Sequence, residues 1–354
     1  MDLADADGHI SRAFPNTVPG VKRLVVWLLK RYSPQETQVV AEPTSTYHQH
    51  LIVALASSGI AFTLVNPASA AYYARSQMRR SKTDKIDARM LARMGGRENL
   101  SPTPPPVQWR EGLKALLRHR DRLRGEAGAW HSRLGAANKS PWITKEELAS
   151  IRGMQRRALS EAAKTEAKLW ELMKAHPGLM EQVRLLKTVK GVGDQTALAV
   201  TLELPLVEQT RSAKAWGAFA GLAPSIQQSG KSEYSLLSRT GSARIRKALY
   251  MPALVAIKHN PAIKVFAERL KANGKSNMVV IAAVMHKLLR ICFGVLKSGR
   301  PFDLSMHPTA AVAAATAAVE IPLLLLPGPS PEVNTSNTLT QRRSPTQATA
   351  LPVP

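Results

Sequence analysis

The sequence is poor in cysteine, in aromatic side chains and in secretion or membrane signals. Its 354 residues include one cysteine, Cys292, which excludes an internal disulfide and a cysteine-based zinc site. A reducing cytoplasm fits this usage. The N-terminus lacks a secretion-signal pattern, and Glu320 and Pro322 interrupt the most apolar late stretch, so we expect no membrane-spanning helix and no membrane partner.

Acidic residues are also scarce. The chain has 49 lysines and arginines against 25 aspartates and glutamates, a formal net charge of +24. A charge of this size attracts polyanions, and the attraction weakens with salt. Nucleic acid is the favoured partner, ahead of a membrane surface and of a basic surface that is merely solvated.

Residues 1–100 alternate predicted strands and helices, which is an α/β pattern with a parallel element. The segments "TQVVAE" and "AFTLVN" read as strands, and "GVKRLVVWLLKRY" and "STYHQHLIVALASSG" read as helices. Helix-forming sequence then runs from Pro67 through Met94 and is expected to break at Gly95 and Gly96.

A stiff proline linker, "SPTPPP" at 101–106, precedes a predicted helical coiled-coil arm at 107–178. Apolar residues of the first helix recur at a and d spacing, with Arg120 as the one intruder. A second helix either pairs back along the first or pairs with a second chain. Pairing back is expected to bury Ile151, Met154, Leu169 and Met173.

Residues 180–302 form a mainly helical predicted domain, with turn residues at several glycines and prolines. Residues 303–354 are rich in Ala, Pro, Thr and Ser, and the last aromatic residue of the sequence is Phe302. We therefore expect a disordered tail.

Three acidic residues form a candidate divalent-metal site. Asp84 and Asp87 share a face if their segment is helical, and Glu42 directly follows a strand, at the end where open α/β sheets place ligands. Carboxylate oxygens suit Mg²⁺, and the cations around them suit phosphates. The alternative is a capping box, with Ser81 as the N-cap and Asp84 three residues later.

Several ordered motifs resemble those of the DEDD-type insertion-sequence transposases of the IS110 family. The N-terminal ones are "VVAEPTSTYHQHLIVAL", "LVNPASAAYYA" and "RRSKTDKIDARMLARM". The C-terminal ones are "LKTVKGVGDQTALAVTLELP", "AWGAFAGLAPSIQQSGKS" and "RTGSARIRKALYMPAL". The resemblance implies a RuvC-like, RNase H type N-terminal fold and Mg²⁺-dependent DNA recombination. It also implies a structured noncoding guide RNA. The predicted coiled-coil arm would support a homo-oligomer, and we expect the protein in a prokaryotic cytoplasm, associated with the nucleoid.

The resemblance makes Glu42, Asp84 and Asp87 three of the four metal-binding acids of the family. The fourth acid of the family lies on a strand ahead of the hairpin that includes "DADGHISRAF", and this sequence starts at Met1 inside that region. The expectation is therefore an N-terminal domain without its first strand, together with exposed strand edges.

The motif "QQSGKS" supplies a candidate nucleophile. The resemblance assigns attack on DNA to Ser229, whereas the residues alone indicate an ordinary Ser-Gly turn. Gly191 and Gly193 precede a predicted helix. Backbone N–H groups at such a position can bind a phosphate, as in helix-hairpin-helix turns. The alternative is that the two glycines simply make a turn between helices.

Basic residues flank the acids and accompany the serine motif, and they are predicted to bind nucleic acid together with the two glycines. They are Arg79, Arg80, Lys82, Lys85, Lys231, Arg239, Arg244, Arg246 and Lys247.

The sequence thus predicts a transposase or site-specific recombinase. Two other functions stay open: a catalytically inactive protein that only binds nucleic acid, and a junction-resolving nuclease that uses carboxylates alone.

Overall fold

The computed structural model describes residues 1–7, 9–78, 83–229, 232–237 and 240–304. Within these ranges the chain is mostly helical and has three small two-stranded sheets. The predicted tail lies outside the described residues from 305 onward.

The N-terminal region combines two strand pairs with four helices. Its elements are β1 (Asp2–Ala4), β2 (Ser11–Ala13), α1 (Val18–Leu29), β3 (Gln38–Ala41), α2 (Gln49–Ser57), β4 (Ala61–Leu64), α3 (Pro67–Ser76) and α4 (Asp84–Arg97). The strands β1 and β2 pair antiparallel. The strands β3 and β4 pair parallel, which confirms the predicted parallel element.

Apolar periodicity explains why α1 and α2 cover this sheet. Thr17 caps α1 by accepting a hydrogen bond from the Gly20 backbone N–H. Leu24 and Leu28 of α1 then pack with Leu55 of α2 and Phe62 of β4 in one buried cluster. The described strands do not join into a single sheet, so the RuvC-like fold stays a prediction.

The predicted continuous helix from Pro67 to Met94 is wrong in two respects. The chain forms α3 and α4 separately, and α4 continues through Gly95 and Gly96 to Arg97. A Cβ on Gly95 would lie 2.6 Å from Cγ2 of Val40 in β3. These glycines therefore allow close packing of α4 and do not end it.

The predicted arm is an antiparallel helical hairpin of α5 (Gln108–Ala137) and α6 (Lys145–Lys174). Arg124 bonds Glu166, and Gln155 lies against His131, so the two helices run in opposite directions. The second helix pairs back within the chain, as one of the two predicted arrangements requires. A supercoil between the helices stays a prediction.

Burial along α6 matches the prediction only near the end of that helix. Leu169 and Met173 are buried, Ile151 is half-buried, and Met154 is 42% exposed. Arg120 is buried despite its charge, because it pairs with Asp121 and Glu166.

A capping box fixes the start of α6. The Thr144 hydroxyl accepts from the Glu147 N–H, and the Glu147 carboxylate accepts from the Thr144 N–H. Hydrogen bonding of the Glu147 carboxylate, first to the Thr144 backbone and then to the Thr144 side chain, holds the pKa of Glu147 below its ordinary value.

The C-terminal region packs six helices and one strand pair. Its elements are α7 (Pro177–Lys187), α8 (Asp194–Glu203), α9 (Ala213–Ala220), β5 (Pro224–Ser229), β6 (Ser232–Leu237), α10 (Ala243–His259), α11 (Pro261–Ala272) and α12 (Asn277–Ser298). Its hydrophobic core also includes Leu113 and Leu117 of α5 and Leu169 and Met173 of α6. The base of the hairpin therefore belongs to the same core.

One described helix, α12, is long and apolar enough to cross a membrane, with a mean hydropathy of 2.0 in its most apolar window. More than half of that window, 56%, is buried inside the structure. Val284, Leu288 and Cys292 are completely buried in the C-terminal core. This burial accounts for the composition of α12.

Candidate catalytic site and nucleic-acid interface

Glu42 lies at one edge of the parallel strand pair. It directly follows β3, and Asn66 follows β4 two residues after the strand ends. The Val65 N–H donates to the Ala41 carbonyl at 2.9 Å, which continues the parallel pairing beyond β4. Glu42 and Asn66 therefore lie at the same edge, at the carboxyl ends of neighbouring parallel strands.

Asp84 and Asp87 lie in the first turn of α4. The N-cap is Thr83, whose hydroxyl accepts from the Ile86 N–H at 3.3 Å, so the predicted cap at Ser81 is wrong. Asp84 is exposed and Asp87 is half-buried. Their spacing of three residues puts both carboxylates on one face of the helix, as expected.

The predicted metal ligands Glu42, Asp84 and Asp87 do not form a cluster with all their ligand atoms within 4.8 Å of one another. Among the described residues, the one group of three potential ligands with all ligand atoms within 4.8 Å is Asp5, Asp7 and His9. That group lies in the loop between β1 and β2, where Asp5 also accepts a hydrogen bond from the Ile10 N–H. It is an exposed loop cluster, unlike the predicted site at the sheet edge.

The predicted acids are nevertheless free of partners within the described ranges. The carboxylates of Glu42, Asp84 and Asp87 form no hydrogen bond or ion pair there, although the chain has a formal charge of +24. By contrast, Glu203 pairs with Arg118 and Glu166 with Arg124. Unpaired carboxylates in a basic protein suit a bound cation.

Ser229 ends β5, and its Cα is the register partner of Ser232 at the start of β6. Sequence reasoning predicted only a turn here and missed the strands. The signal was two polar and apolar segments separated by Gly230 and Lys231, a spacing typical of a β-hairpin. The side chain of Ser229 and all of Lys231 lie outside the described residues.

A hydrogen bond joins the Glu42 edge of the sheet to the segment that follows β6 of the serine strand pair, β5 and β6. The Asn66 side-chain amide donates to the Thr240 carbonyl at 3.4 Å. Asn66 lies at the sheet edge beside Glu42, and Thr240 lies three residues beyond β6 of the serine strand pair. Sequence reasoning did not select Asn66, because its role depends on this contact across 174 positions of sequence.

The two predicted glycines have different surroundings. Gly191 has a positive φ of 106°, and a Cβ there would lie 2.9 Å from Cβ of Ala256 and 3.0 Å from the Pro252 carbonyl oxygen. Gly193 is the N-cap of α8, and nothing lies within 4 Å of its Cβ position. Packing against α10 therefore requires a glycine at 191, whereas position 193 is open to a ligand.

The predicted basic residues divide into three groups. Arg79, Arg80, Lys82 and Arg239 lie outside the described residues, as Lys231 does. Lys85, Arg244 and Lys247 are exposed. Arg246 is half-buried and donates through Nη1 to the carbonyls of Ala220 and Gly241, so it links the end of α9 to the residues that precede α10.

The single cysteine is an unsuitable nucleophile. Cys292 is completely buried in α12. Burial raises its pKa to about 12, so the thiolate form is absent near neutral pH.

Comparisons with known proteins identify the family of the chain. A DEDD-type family model described as a transposase matches residues 3–137, and one described as the transposase IS116/IS110/IS902 family matches residues 183–268. The pilin gene-inverting protein of Moraxella bovis is 31% identical over 298 residues, which cover 83% of this chain and 91% of that protein.

A more distant relative is a transposase by name. The transposase for insertion sequence element IS1111A of Coxiella burnetii is 26% identical over 226 residues, which cover 57% of this chain and 61% of that protein. Two models of one family match separate parts of the chain, and a pilin gene-inverting protein is similar over 91% of its own length. The chain therefore belongs to the IS110 family of transposases and site-specific recombinases.

Proposed function

We propose that this chain recombines DNA through a serine nucleophile that acts beside a divalent-metal site, under the direction of a structured guide RNA. The observation that carries the proposal is the hydrogen bond from Asn66 to Thr240, which links the Glu42 edge of the sheet to the segment that follows the serine strand pair. This contact supports two units that lie beside each other, with Ser229 at the opposite end of the strand pair, against Ser232.

Glu42, Asp84 and Asp87 would hold Mg²⁺, because carboxylate oxygens are its preferred ligands and these three have no competing partner among the described residues. When bound, the ion supplies neutralisation of the charge that develops on the attacking and leaving oxygens of a phosphodiester. The exposed cations Lys85, Arg244 and Lys247 hold the DNA backbone.

Ser229 performs the covalent step. Its hydroxyl oxygen forms a bond to phosphorus, and the phosphorus bond to one bridging oxygen of the DNA strand breaks. The hydroxyl proton ends on the leaving oxygen, so the products are a serine phosphodiester and a free DNA hydroxyl. Reversal of this step on another DNA end completes strand exchange.

We also propose that the chain has a catalytic unit at 1–100, an arm at 107–178 and a serine-bearing unit at 180–302, and that it works as a homo-oligomer joined through the arm. Separate buried clusters in the N-terminal and C-terminal regions support this division. Exposed apolar side chains on the outer part of the arm, such as Trp142, Met154 and Leu159, support contact with a second copy.

The deciding experiment compares Ser229→Ala with Ser232→Ala, its register partner across the strand pair. Element-end DNA, the element RNA and Mg²⁺ are supplied, and both strand exchange and covalent protein–DNA adduct are measured. We expect Ser229→Ala to lose both products and Ser232→Ala to retain them. Omitting the RNA or chelating the metal should abolish exchange.

Other outcomes would identify the competing functions. Metal-dependent cleavage by Ser229→Ala without an adduct would indicate a junction-resolving nuclease that uses its carboxylates alone. Equal strand exchange by Ser229→Ala and the unmodified chain would remove the serine from the mechanism. Salt-sensitive binding with no cleavage by the unmodified chain would indicate a binding protein.

A further inference from the structure

Ionisable side chains of one sign collect where α11 and α12 meet. The helix α12 contains no aspartate or glutamate, and its basic residues are His286, Lys287, Arg290 and Lys297. On the neighbouring helix, Arg269 approaches this set. We define Arg269, Lys287 and Arg290 as the α11–α12 cation cluster.

The aromatic ring of Phe266 lies at the centre of this arrangement. The Arg269 guanidinium carbon is 5.8 Å from the ring centroid, and the Lys287 ammonium nitrogen is 5.7 Å from it. Cations from two helices therefore approach one ring. Arg290 lies three residues after Lys287, on the same face of α12.

The cluster has no counter-charge among the described residues. The one acidic residue of α11 is Glu268, whose carboxylate lies 4.0 Å from the Lys264 ammonium group. The Nε atom of Arg269 is buried and has no hydrogen-bond partner there. All three members of the cluster are half-buried, which weakens their solvation.

Burial and mutual repulsion also affect how the nearby groups titrate. The pKa of Lys287 is lowered, first by burial and then by the positive charges of Arg290 and Arg269. The pKa of His286 is lowered by burial and by Arg290. No acidic residue acts in the opposite direction on either group. The local potential is therefore positive.

Three buried or half-buried arginines elsewhere, Arg110, Arg118 and Arg120, have acceptors within the chain. Single nitrogens of Arg89, Arg110 and Arg120 nevertheless have no hydrogen-bond partner among the described residues, as is the case for Arg269. Arg118 makes a bidentate ion pair with Glu203, and Arg110 donates to two backbone carbonyls. Arg120 pairs with two carboxylates. The α11–α12 cation cluster departs from this pattern, so its charge suits a partner from outside the chain.

We propose that the α11–α12 cation cluster binds the phosphodiester backbone of a nucleic acid strand. Phosphate oxygens accept hydrogen bonds from guanidinium and ammonium groups, and phosphate charge offsets the repulsion among the three cations. The proposal rests on the proposed function only in requiring that the chain binds nucleic acid. Sequence reasoning did not select these residues, because α12 is read first as an apolar core helix.

The test compares two variants of the full chain that lose the same charge. The cluster variant is Arg269→Gln, Lys287→Gln and Arg290→Gln. The control variant replaces exposed lysines of the same two helices, Lys264→Gln, Lys271→Gln and Lys297→Gln. Fluorescence anisotropy gives the affinity for duplex DNA and for the element RNA over a range of salt concentrations.

We expect the cluster variant to lower the slope of log affinity against log salt by about three, because each lost phosphate contact removes roughly one unit. At about 0.15 M salt this slope change corresponds to a loss on the order of 100-fold, whereas the control should lose less than about fivefold. If the affinity falls for DNA alone, or for RNA alone, the result identifies which of the two nucleic acids the cluster binds.

Equal affinities and slopes for the two variants would overturn the inference. So would an absence of nucleic-acid binding by the unmodified chain. Arg290→Lys is a control for misfolding, since it keeps the positive charge and should retain most of the affinity for nucleic acid. Binding is measured without chemistry, so failure of Ser229→Ala to affect recombination would overturn the proposed function and leave this inference standing.

Discussion

Gly191→Ala should destabilise the C-terminal region substantially. Alanine at a positive φ of 106° costs about 1–3 kcal/mol. The new Cβ would also lie 2.9 Å from Cβ of Ala256 and 3.0 Å from the Pro252 carbonyl oxygen, and such overpacking costs a further 1–3 kcal/mol or so. The expected loss is therefore about 2–6 kcal/mol, measured as faster hydrogen exchange of the α8 amides and a lower urea midpoint.

Gly193→Ala is the matched control in the same turn. Gly193 has an ordinary φ of −99°, and nothing lies within 4 Å of its Cβ position. Alanine there should leave the free energy of unfolding within about 0.5 kcal/mol. If the two variants had equal stabilities, the argument that Gly191 is required for packing against α10 would be refuted.

Two further predictions concern the arm. Arg110→Met should cost about 2–5 kcal/mol in urea unfolding, because Arg110 donates at 2.8 Å to each of the Thr201 and Leu204 carbonyls, which would be left without a donor. Arg122 is exposed on the same helix, and Arg122→Met should cost less than about 0.5 kcal/mol. Equal losses of unfolding free energy in the two variants would contradict the role of Arg110 as donor to these carbonyls. Leu159→Glu should shift the sedimenting species toward a monomer, since Leu159 is 49% exposed on the arm; an unchanged mass would argue against contact through this face.

The elements of the N-terminal region that follow simple periodicity could be predicted from the sequence. The apolar segments that became β3 and β4, and the amphipathic segment that became α1, each satisfy one local pattern. The start of α4 was harder, because Ser81 and Thr83 both precede Asp84 and both are good N-cap residues. Local propensity does not choose between two caps.

The features that sequence reasoning missed depend on contacts between distant residues. Gly95 looked like a helix end, but it lies inside α4 because Val40 of β3 packs against it. Arg120 looked like an error in a heptad, but Glu166 of α6 and the adjacent Asp121 satisfy it. Neither contact has a signature at fixed sequence spacing, so composition and periodicity could not reveal them.

The arm is held at its base and lightly packed at its tip. Trp109 stacks on His176 with ring centroids 4.0 Å apart, and Leu113 and Leu117 are buried in the C-terminal core. Beyond Ala127, no residue from 128 to 157 is buried. Two helices alone leave much of each surface in water, so the outer part of the arm gains little free energy from packing. The base is therefore one body with the serine-bearing region, and the outer part of the arm keeps apolar side chains in water, among them Trp142, Met154 and Leu159.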